Sequence, residues 1–88
     1  MTRRVIVVAY AEADLDQLSE AERTAVTDDL WSWVEDGPPR LRRRTVGGAQ
    51  AFDDQLPSGF AVVYFADEAQ RYVAVLRIRR GPPLVADR

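Results

Sequence analysis

The chain has 88 residues, which is sufficient for one small domain spanning 1–88, and its formal net charge is −2. Cys, His and Lys are all absent, and each of the 12 basic residues is Arg. Disulfides, thiolate or imidazole metal sites, His-based triads and Schiff-base chemistry are therefore excluded, and we expect no metal site and no cofactor.

The charges are unevenly distributed along the chain. Residues 1–36 contain nine acidic and three basic residues, whereas residues 37–88 contain nine basic and five acidic ones. This asymmetry predicts an acidic helical surface and a basic sheet surface, so the small net charge says little about what the basic side binds.

The first predicted element is a strand at 5–9, where a continuous apolar run indicates burial of both faces. The basic start of the chain resembles a secretory signal, but this apolar segment is too short for one, since signals need about 15 to 30 residues. No run reaches the roughly 18 apolar residues of a membrane span. With no Cys, the composition fits a reducing compartment, so we expect a cytoplasmic protein without membrane contact.

Two helices are predicted next. Ala11, Leu15 and Leu18 recur at helical spacing and indicate a short first helix. Ser19 and Glu22 have the spacing of a capping box, which predicts that a second helix begins near residue 20. Its apolar stripe consists of Val26, Leu30 and Val34, and the Gly-Pro-Pro sequence at 37–39 ends it.

The second helix carries two Trp residues that cannot share one buried stripe. Trp31 and Trp33 lie about 200° apart around a helix. Trp33 is beside the apolar stripe, so Trp31 is the candidate for an exposed anchor that binds a partner or another protomer. The alternative is a partly buried surface Trp without a partner.

A basic segment follows at 40–44. The segment has too little apolar content for a core element. Clustered guanidinium groups bind phosphates, which makes the segment a candidate for binding a nucleic acid or another target. The alternative is a solvated loop, or one paired with the acidic helices. The candidate residues are Arg40, Arg42, Arg43 and Arg44.

The segment 49–56 is predicted to be a strand and contains two adjacent acidic residues, Asp53 and Asp54. Adjacent strand residues point to opposite faces, so these carboxylates are not expected to converge on a metal ion. We interpret them as part of a charged, exposed strand or as contacts for a partner protein.

The segment 60–79 is predicted to form an antiparallel hairpin with a turn at 67–70. Regular alternation on its second strand places Tyr72, Ala74, Leu76 and Ile78 on one face and Val73, Val75, Arg77 and Arg79 on the other. The aromatic side chains of Tyr64 and Tyr72 are expected to be core or cross-strand partners.

The predicted order is thus one strand, two helices and a three-stranded meander. The meander contains Ser-Gly-Phe-x-Val-Val-Tyr at 58–64 and Val-Leu-Arg-Ile-Arg-Arg at 75–80, and Tyr-Ala-Glu-Ala-Asp-Leu at 10–15 joins the first strand to the first helix. In these features the chain resembles the RelE/ParE superfamily of bacterial toxins over nearly its whole length. The resemblance implies an α+β fold of order β-α-α-β-β-β, in which two N-terminal helices pack on a small, mostly antiparallel sheet of about four strands.

The resemblance also implies a function. It is that of the toxin of a type II toxin–antitoxin system, held by a cognate antitoxin. The superfamily's ribonuclease branch cleaves messenger RNA on the ribosome with basic residues, for which the corresponding candidates here are Arg77, Arg79 and Arg80. The ParE branch poisons gyrase without that catalytic set. For the three Arg residues, the alternative is an edge strand kept soluble by charge.

Three positions depart from the ribonuclease pattern. Asp53 and Asp54 lie where paired basic residues are expected, and Ala61 replaces an Arg. Because carboxylates repel phosphate, the expected activity is either ParE-like poisoning of gyrase or a weakened ribosome-dependent endoribonuclease, and whether the chain is an enzyme stays open. The alternatives are a non-catalytic protein-binding or regulatory module on the same scaffold and direct nucleic-acid binding. A homodimer is left open.

Overall fold

The computed structural model of the chain describes residues 3–40, 43–46, 49–67 and 69–81. In chain order, the elements are β1 (Arg4–Val7), α1 (Ala9–Asp16), α2 (Glu20–Asp36), β2 (Arg43–Val46), β3 (Ala49–Gln55), β4 (Ala61–Asp67) and β5 (Tyr72–Arg79). The sheet order is β1-β5-β4-β3-β2. Only β1 and β5 run parallel, while the other neighbours are antiparallel. The predicted α+β class, with two helices on a mostly antiparallel sheet, is confirmed.

The basic segment, which the sequence predicts not to be a core element, contains the short edge strand β2. It pairs antiparallel with β3, with Arg43 opposite Phe52 and Arg44 opposite Ala51. An edge strand satisfies its backbone on one side only and tolerates charged side chains, so the low apolar content of this segment does not prevent pairing. The alternative of a solvated loop is therefore wrong for 43–46, and the meander has four described strands where the sequence predicts three.

Local sequence signals determine both ends of α2. The Ser19 hydroxyl accepts a hydrogen bond from the Glu22 N–H at 3.1 Å, and the Glu22 carboxylate accepts one from the Ser19 N–H at 3.0 Å. Gly37 ends the helix with a φ of 80°. A Cβ at Gly37 would lie 3.0 Å from Cζ of Arg3, whose guanidinium group donates to the Glu35 carbonyl at 3.2 Å. The predicted capping box and helix end are confirmed.

The core lies between the helices and one face of the sheet. Tyr64 is fully buried at its centre, 4.7 Å from the Trp33 ring and 5.4 Å from the Phe52 ring, measured between centroids. Burial of Tyr64 and of the α2 stripe residues Val26 and Leu30 is as predicted. The buried cluster comprises Ala11, Val26, Leu30, Trp33, Leu56, Phe60, Val62, Tyr64, Val73, Val75 and Ile78.

A β-bulge interrupts the predicted alternation on β5. Tyr64 lies opposite Val75, but the preceding Val63 lies opposite Arg77, which leaves Leu76 as the extra residue. The bulge shifts the side-chain alternation, so Ile78 joins Val73 and Val75 in the core. The prediction that Ile78 and Val73 face opposite sides is wrong. It assumed regular alternation along β5, and the bulge that breaks this alternation arises only from the pairing of β5 with β4.

The first strand also differs from its prediction. β1 is an edge strand that pairs only with β5 among the described residues, and its side chains alternate between exposed and half-buried. Burial of both faces was therefore the wrong interpretation of its apolar run. In the described part of the chain, neither helix is long and apolar enough to span a membrane.

Candidate functional site

The end of β5 extends beyond β1 and is bound instead by a side chain of α1. The last contact of β1 is the hydrogen bond from the Val8 N–H to the Val75 carbonyl at 3.1 Å. Asp14 then accepts hydrogen bonds from Arg77 Nε at 2.8 Å, from Arg77 Nη2 at 3.0 Å and from the Ile78 N–H at 2.8 Å. The hydrogen bond from Arg77 lowers the pKa of Asp14, with desolvation opposing it and the Ile78 N–H adding to it.

A second helix carboxylate binds the next cation. Arg80 donates to Glu22 through Nη1 at 2.5 Å and through Nη2 at 3.1 Å. Its guanidinium group also lies 5.7 Å from the centroid of the Phe60 ring. The hydrogen bond from Arg80, together with the N–H of Ser19, lowers the pKa of Glu22 to about 2. Glu22 therefore serves both as a helix cap and as the counterion of Arg80.

The third candidate cation, Arg79, is not held in this way. Within the described residues, no ion pair or hydrogen bond engages its side chain. Arg79 lies opposite Ala61 and Arg77 lies opposite Val63, which places both on the sheet face away from the helices. The structure thus brings Arg77, Arg79 and Arg80 to one end of the sheet, with two of them neutralised.

The basic segment at 40–44 does not join this cluster. β3 and β4 separate β2 from β5, a distance of about 14 Å at the usual strand spacing. Arg43 is exposed on β2, and Arg40 has a φ of 54°. Arg44 is placed opposite Ala51 by the strand register, whereas Arg42 lies outside the described residues. The two groups of Arg are therefore separate surfaces.

Asp53 and Asp54 are buried, each with 2% of its surface exposed, so their expected exposure is wrong. They do point to opposite faces as predicted. Asp53 lies opposite Val63, on the face away from the helices and in the same cross-strand row as Arg77. Because Val63 is buried as well, with 4% of its surface exposed, this part of the face is not open to solvent.

Asp54 points into the core and binds Tyr64. The Tyr64 hydroxyl donates to the Asp54 carboxylate at 2.5 Å and accepts a hydrogen bond from the Arg40 N–H at 2.7 Å. Burial, followed by the hydrogen bond to Asp54, raises the pKa of Tyr64, so the phenol stays protonated. Sequence reasoning missed this pair. The available signal was that a buried Tyr hydroxyl requires a polar partner.

An apolar groove lies between β1 and the helices. It encloses about 140 Å³ and is lined by Val5, Val7, Leu15, Thr27, Leu30, Trp31 and Val34. Trp31 is 65% exposed, whereas Trp33 is 4% exposed, which confirms the predicted division between them. Among the described residues, no group of His or acidic side chains is arranged to hold a metal ion.

No protein-family model matches the chain, and no curated protein matches it in sequence. Solved structures are similar. The chain matches a toxin–antitoxin complex of the RelBE type from Mycobacterium tuberculosis with a TM-score of 0.76 and 17% identity, covering 91% of this chain and 99% of that one. The archaeal RelE–RelB complex from Pyrococcus horikoshii matches with a TM-score of 0.70 and 15% identity, covering 91% of this chain and 96% of that one. The intact E. coli RelBE complex matches with a TM-score of 0.67 and 17% identity, covering 98% of this chain and 99% of that one. The chain therefore has the RelE fold, which confirms the resemblance at the level of the fold.

Proposed function

We propose that this chain is the toxin of a toxin–antitoxin pair. The observation that carries the proposal is the extent of the structural match, which includes 91% of this chain and 99% of its mycobacterial counterpart. Because 91% of the chain is covered, the likeness extends well beyond a common hairpin. Because one fold can support many functions, the mechanism has to be inferred from the side chains of this chain.

A cognate antitoxin is the proposed partner. The mycobacterial, archaeal and E. coli structures are all complexes of a toxin with its antitoxin. The small size of this domain is consistent with such a partner, since a chain of this length buries only about 60 to 65% of its unfolded surface. The exposed indole of Trp31 is the side chain we propose for the contact, whereas the burial of Asp53 and Asp54 makes them unsuitable.

We further propose that the toxin acts by binding a target protein, in the manner of ParE on gyrase, and not by cleaving RNA. Cleavage requires cations that stabilise the charge developing on the phosphate. Here Arg77 and Arg80 are bound by Asp14 and Glu22, and Asp53 lies in the same cross-strand row as Arg77. Within the described residues, a phosphate at this end of the sheet would meet only Arg79 as an uncommitted cation of the cluster.

A second candidate function is a non-catalytic regulatory module, and the same observation favours it. Because Arg77 and Arg80 are bound by Asp14 and Glu22, the strand end lacks the cations that cleavage requires, and a chain that had lost this activity could still bind a protein. This candidate differs from the first in its effect on cells, because a regulatory module is not toxic. Growth of cells that produce the chain therefore distinguishes the two.

The test is inducible production of the full chain in bacteria, with and without the protein encoded by the neighbouring reading frame. We expect growth arrest on induction, altered DNA supercoiling, and relief when the neighbouring protein is present. Unchanged growth, translation and DNA topology at high protein levels would remove the toxin function and leave the regulatory module. Arrest with intact DNA topology would remove gyrase as the target.

A further inference from the structure

Two ion pairs hold Arg side chains in fixed positions at the end of β5. Asp14 accepts hydrogen bonds from Nε and Nη2 of Arg77. Glu22 accepts them from Nη1 and Nη2 of Arg80. Both guanidinium-bearing side chains nevertheless stay exposed, Arg77 at 53% and Arg80 at 63%. Because a planar guanidinium group has more N–H donors than its carboxylate engages here, the remaining donors are available to a partner.

Two further side chains extend this surface. Tyr10 lies one helical turn before Asp14 on the same side of α1 and is 75% exposed. The pKa of Arg77 is raised mainly by the hydrogen bond to Asp14, and Tyr10 adds to this effect, so the phenol lies near that guanidinium group. The pKa of Asp14 is lowered mainly by the hydrogen bond from Arg77, and the charge of Arg79 adds to it. We call Tyr10, Arg77, Arg79 and Arg80 the strand-end surface.

The strand-end surface has little net charge for its number of cations. Asp14 and Glu22 neutralise two of its three guanidinium groups, which leaves Arg79 as the one cation without a counterion in the described part of the chain. Binding of a nucleic acid gains mainly from the counterions that several uncompensated cations release from its phosphates, so this surface is poorly suited to one. N–H donors that are fixed before a partner arrives suit the oxygen acceptors of a protein. Arg and Tyr are also enriched among the residues that dominate protein interfaces.

We propose that the strand-end surface binds an acidic loop of the target protein. One carboxylate of the loop pairs with Arg79, and an apolar side chain contacts the Tyr10 ring. Backbone carbonyls of the loop accept hydrogen bonds from the remaining donors of Arg77 and Arg80. The inference rests on the proposed function, because the target of the toxin is the protein expected to carry this loop.

Asp14 and Glu22 are positioning residues in this arrangement, because each fixes a guanidinium group without contacting the partner. Asp14→Asn and Glu22→Gln remove these charges but keep an oxygen that can accept from the Ile78 and Ser19 N–H groups. We expect both variants to bind an acidic peptide more weakly, because ordering the freed Arg side chain costs more than one added, screened charge gains. Single-stranded RNA should bind more tightly, because each added positive charge contributes to counterion release.

The first part of the test selects random displayed peptides on the purified full chain and sorts them by the variants that they fail to bind. We expect one class of peptides with Asp or Glu beside an apolar residue, whose affinity falls by at least about tenfold for Arg79→Ala and for Tyr10→Ala. Arg4→Ala is the control, because Arg4 is exposed and pairs with Tyr72 at the far end of β5, and it should leave binding unchanged. The absence of such a class, or a class without acidic residues, would overturn the inference.

The second part titrates a synthetic peptide of this class and a short single-stranded RNA against the wild type, Asp14→Asn and Glu22→Gln, with folding checked by urea unfolding. Weaker peptide binding together with tighter RNA binding supports the positioning role. Weaker binding of both ligands would indicate a structural role only, and tighter binding of both would indicate a simple cation site. Either result overturns the inference, as does wild-type binding of the RNA more tightly than of the peptide. Growth on induction measures toxicity independently, so the inference and the proposed function can fail separately.

Discussion

The carboxylate of Asp14 in α1 binds both the guanidinium group of Arg77 and the backbone N–H of Ile78 in β5. This residue of α1 therefore occupies the place that a longer β1 would take at the end of the sheet. The same contact neutralises a cation that the sequence presents as a catalytic candidate. The stability of the fold and the chemistry of the strand end are thus linked through one residue.

We expect Asp14→Ala to lower the free energy of unfolding by about 1 to 2 kcal/mol, because it leaves the Ile78 N–H without its partner and breaks the Arg77 pair. Urea unfolding at neutral pH measures the change. Asp16→Ala is the matched control and should cost less than about 0.5 kcal/mol, since within the described residues Asp16 forms only an exposed ion pair of 3.7 Å with Arg23. Equal effects of the two variants would contradict the assigned role of Asp14.

We expect the stability to depend on pH in the acidic range. The folded-state pKa of Glu22 is lowered from 4.5 to about 2, and that of Asp14 is also lowered. Carboxylates of this kind contribute stability above their unfolded-state pKa and lose it as the pH falls through the folded-state value. The urea midpoint should therefore fall between about pH 5 and pH 2. Glu22→Gln should make the decline shallower, and an unchanged slope would show that the Arg80 pair contributes nothing.

We expect Tyr64→Phe to lower the free energy of unfolding by about 1 to 3 kcal/mol, because the buried carboxylate of Asp54 loses a donor while the ring contacts remain. Tyr72→Phe is the control, since among the described residues no hydrogen bond of its hydroxyl is found, and it should change stability by less than about 0.5 kcal/mol. Thermal or urea unfolding measures both. A neutral Tyr64→Phe variant would show that the hydroxyl is not required.

The sequence predicts the features that depend on neighbouring residues and misses those that depend on residues distant in the chain. The ends of α2 are encoded by Ser19, Glu22 and Gly37, which act within a few residues, and the sequence predicts them correctly. The bulge at Leu76 was not predictable, because it exists only in the pairing of β5 with β4. Burial of Asp54 likewise depends on Tyr64, a residue of the next strand.

The same limit applies to the strand-end cations. Their position on β5 follows from the sequence of the hairpin, so the predicted location of Arg77, Arg79 and Arg80 at one end of the sheet is observed. Their counterions come from α1 and α2, which are distant in sequence, and no local pattern identifies those pairs. Sequence reasoning therefore located the cations but overestimated how much of their charge is available.

We expect Arg79→Ala to reduce growth arrest at equal protein levels without loss of stability, because Arg79 has no ion pair within the described residues. Arg77→Ala should reduce both the growth arrest and the stability, since it also breaks the contact with Asp14. Arg4→Ala is the control, because Arg4 is exposed and pairs with Tyr72 at the far end of β5. Growth curves with quantified protein measure the effect, and undiminished arrest by Arg79→Ala would exclude that side chain from the target contact.

The most direct measurement maps the 5′ ends of messenger RNA in cells arrested by the wild-type chain. The geometry of the strand end predicts arrest without new cleavage sites, because two of its three cations are bound by Asp14 and Glu22 and Asp53 lies in the row of Arg77. New ends within ribosome-bound codons that disappear in the Arg79→Ala variant would contradict this account and identify the chain as a ribonuclease.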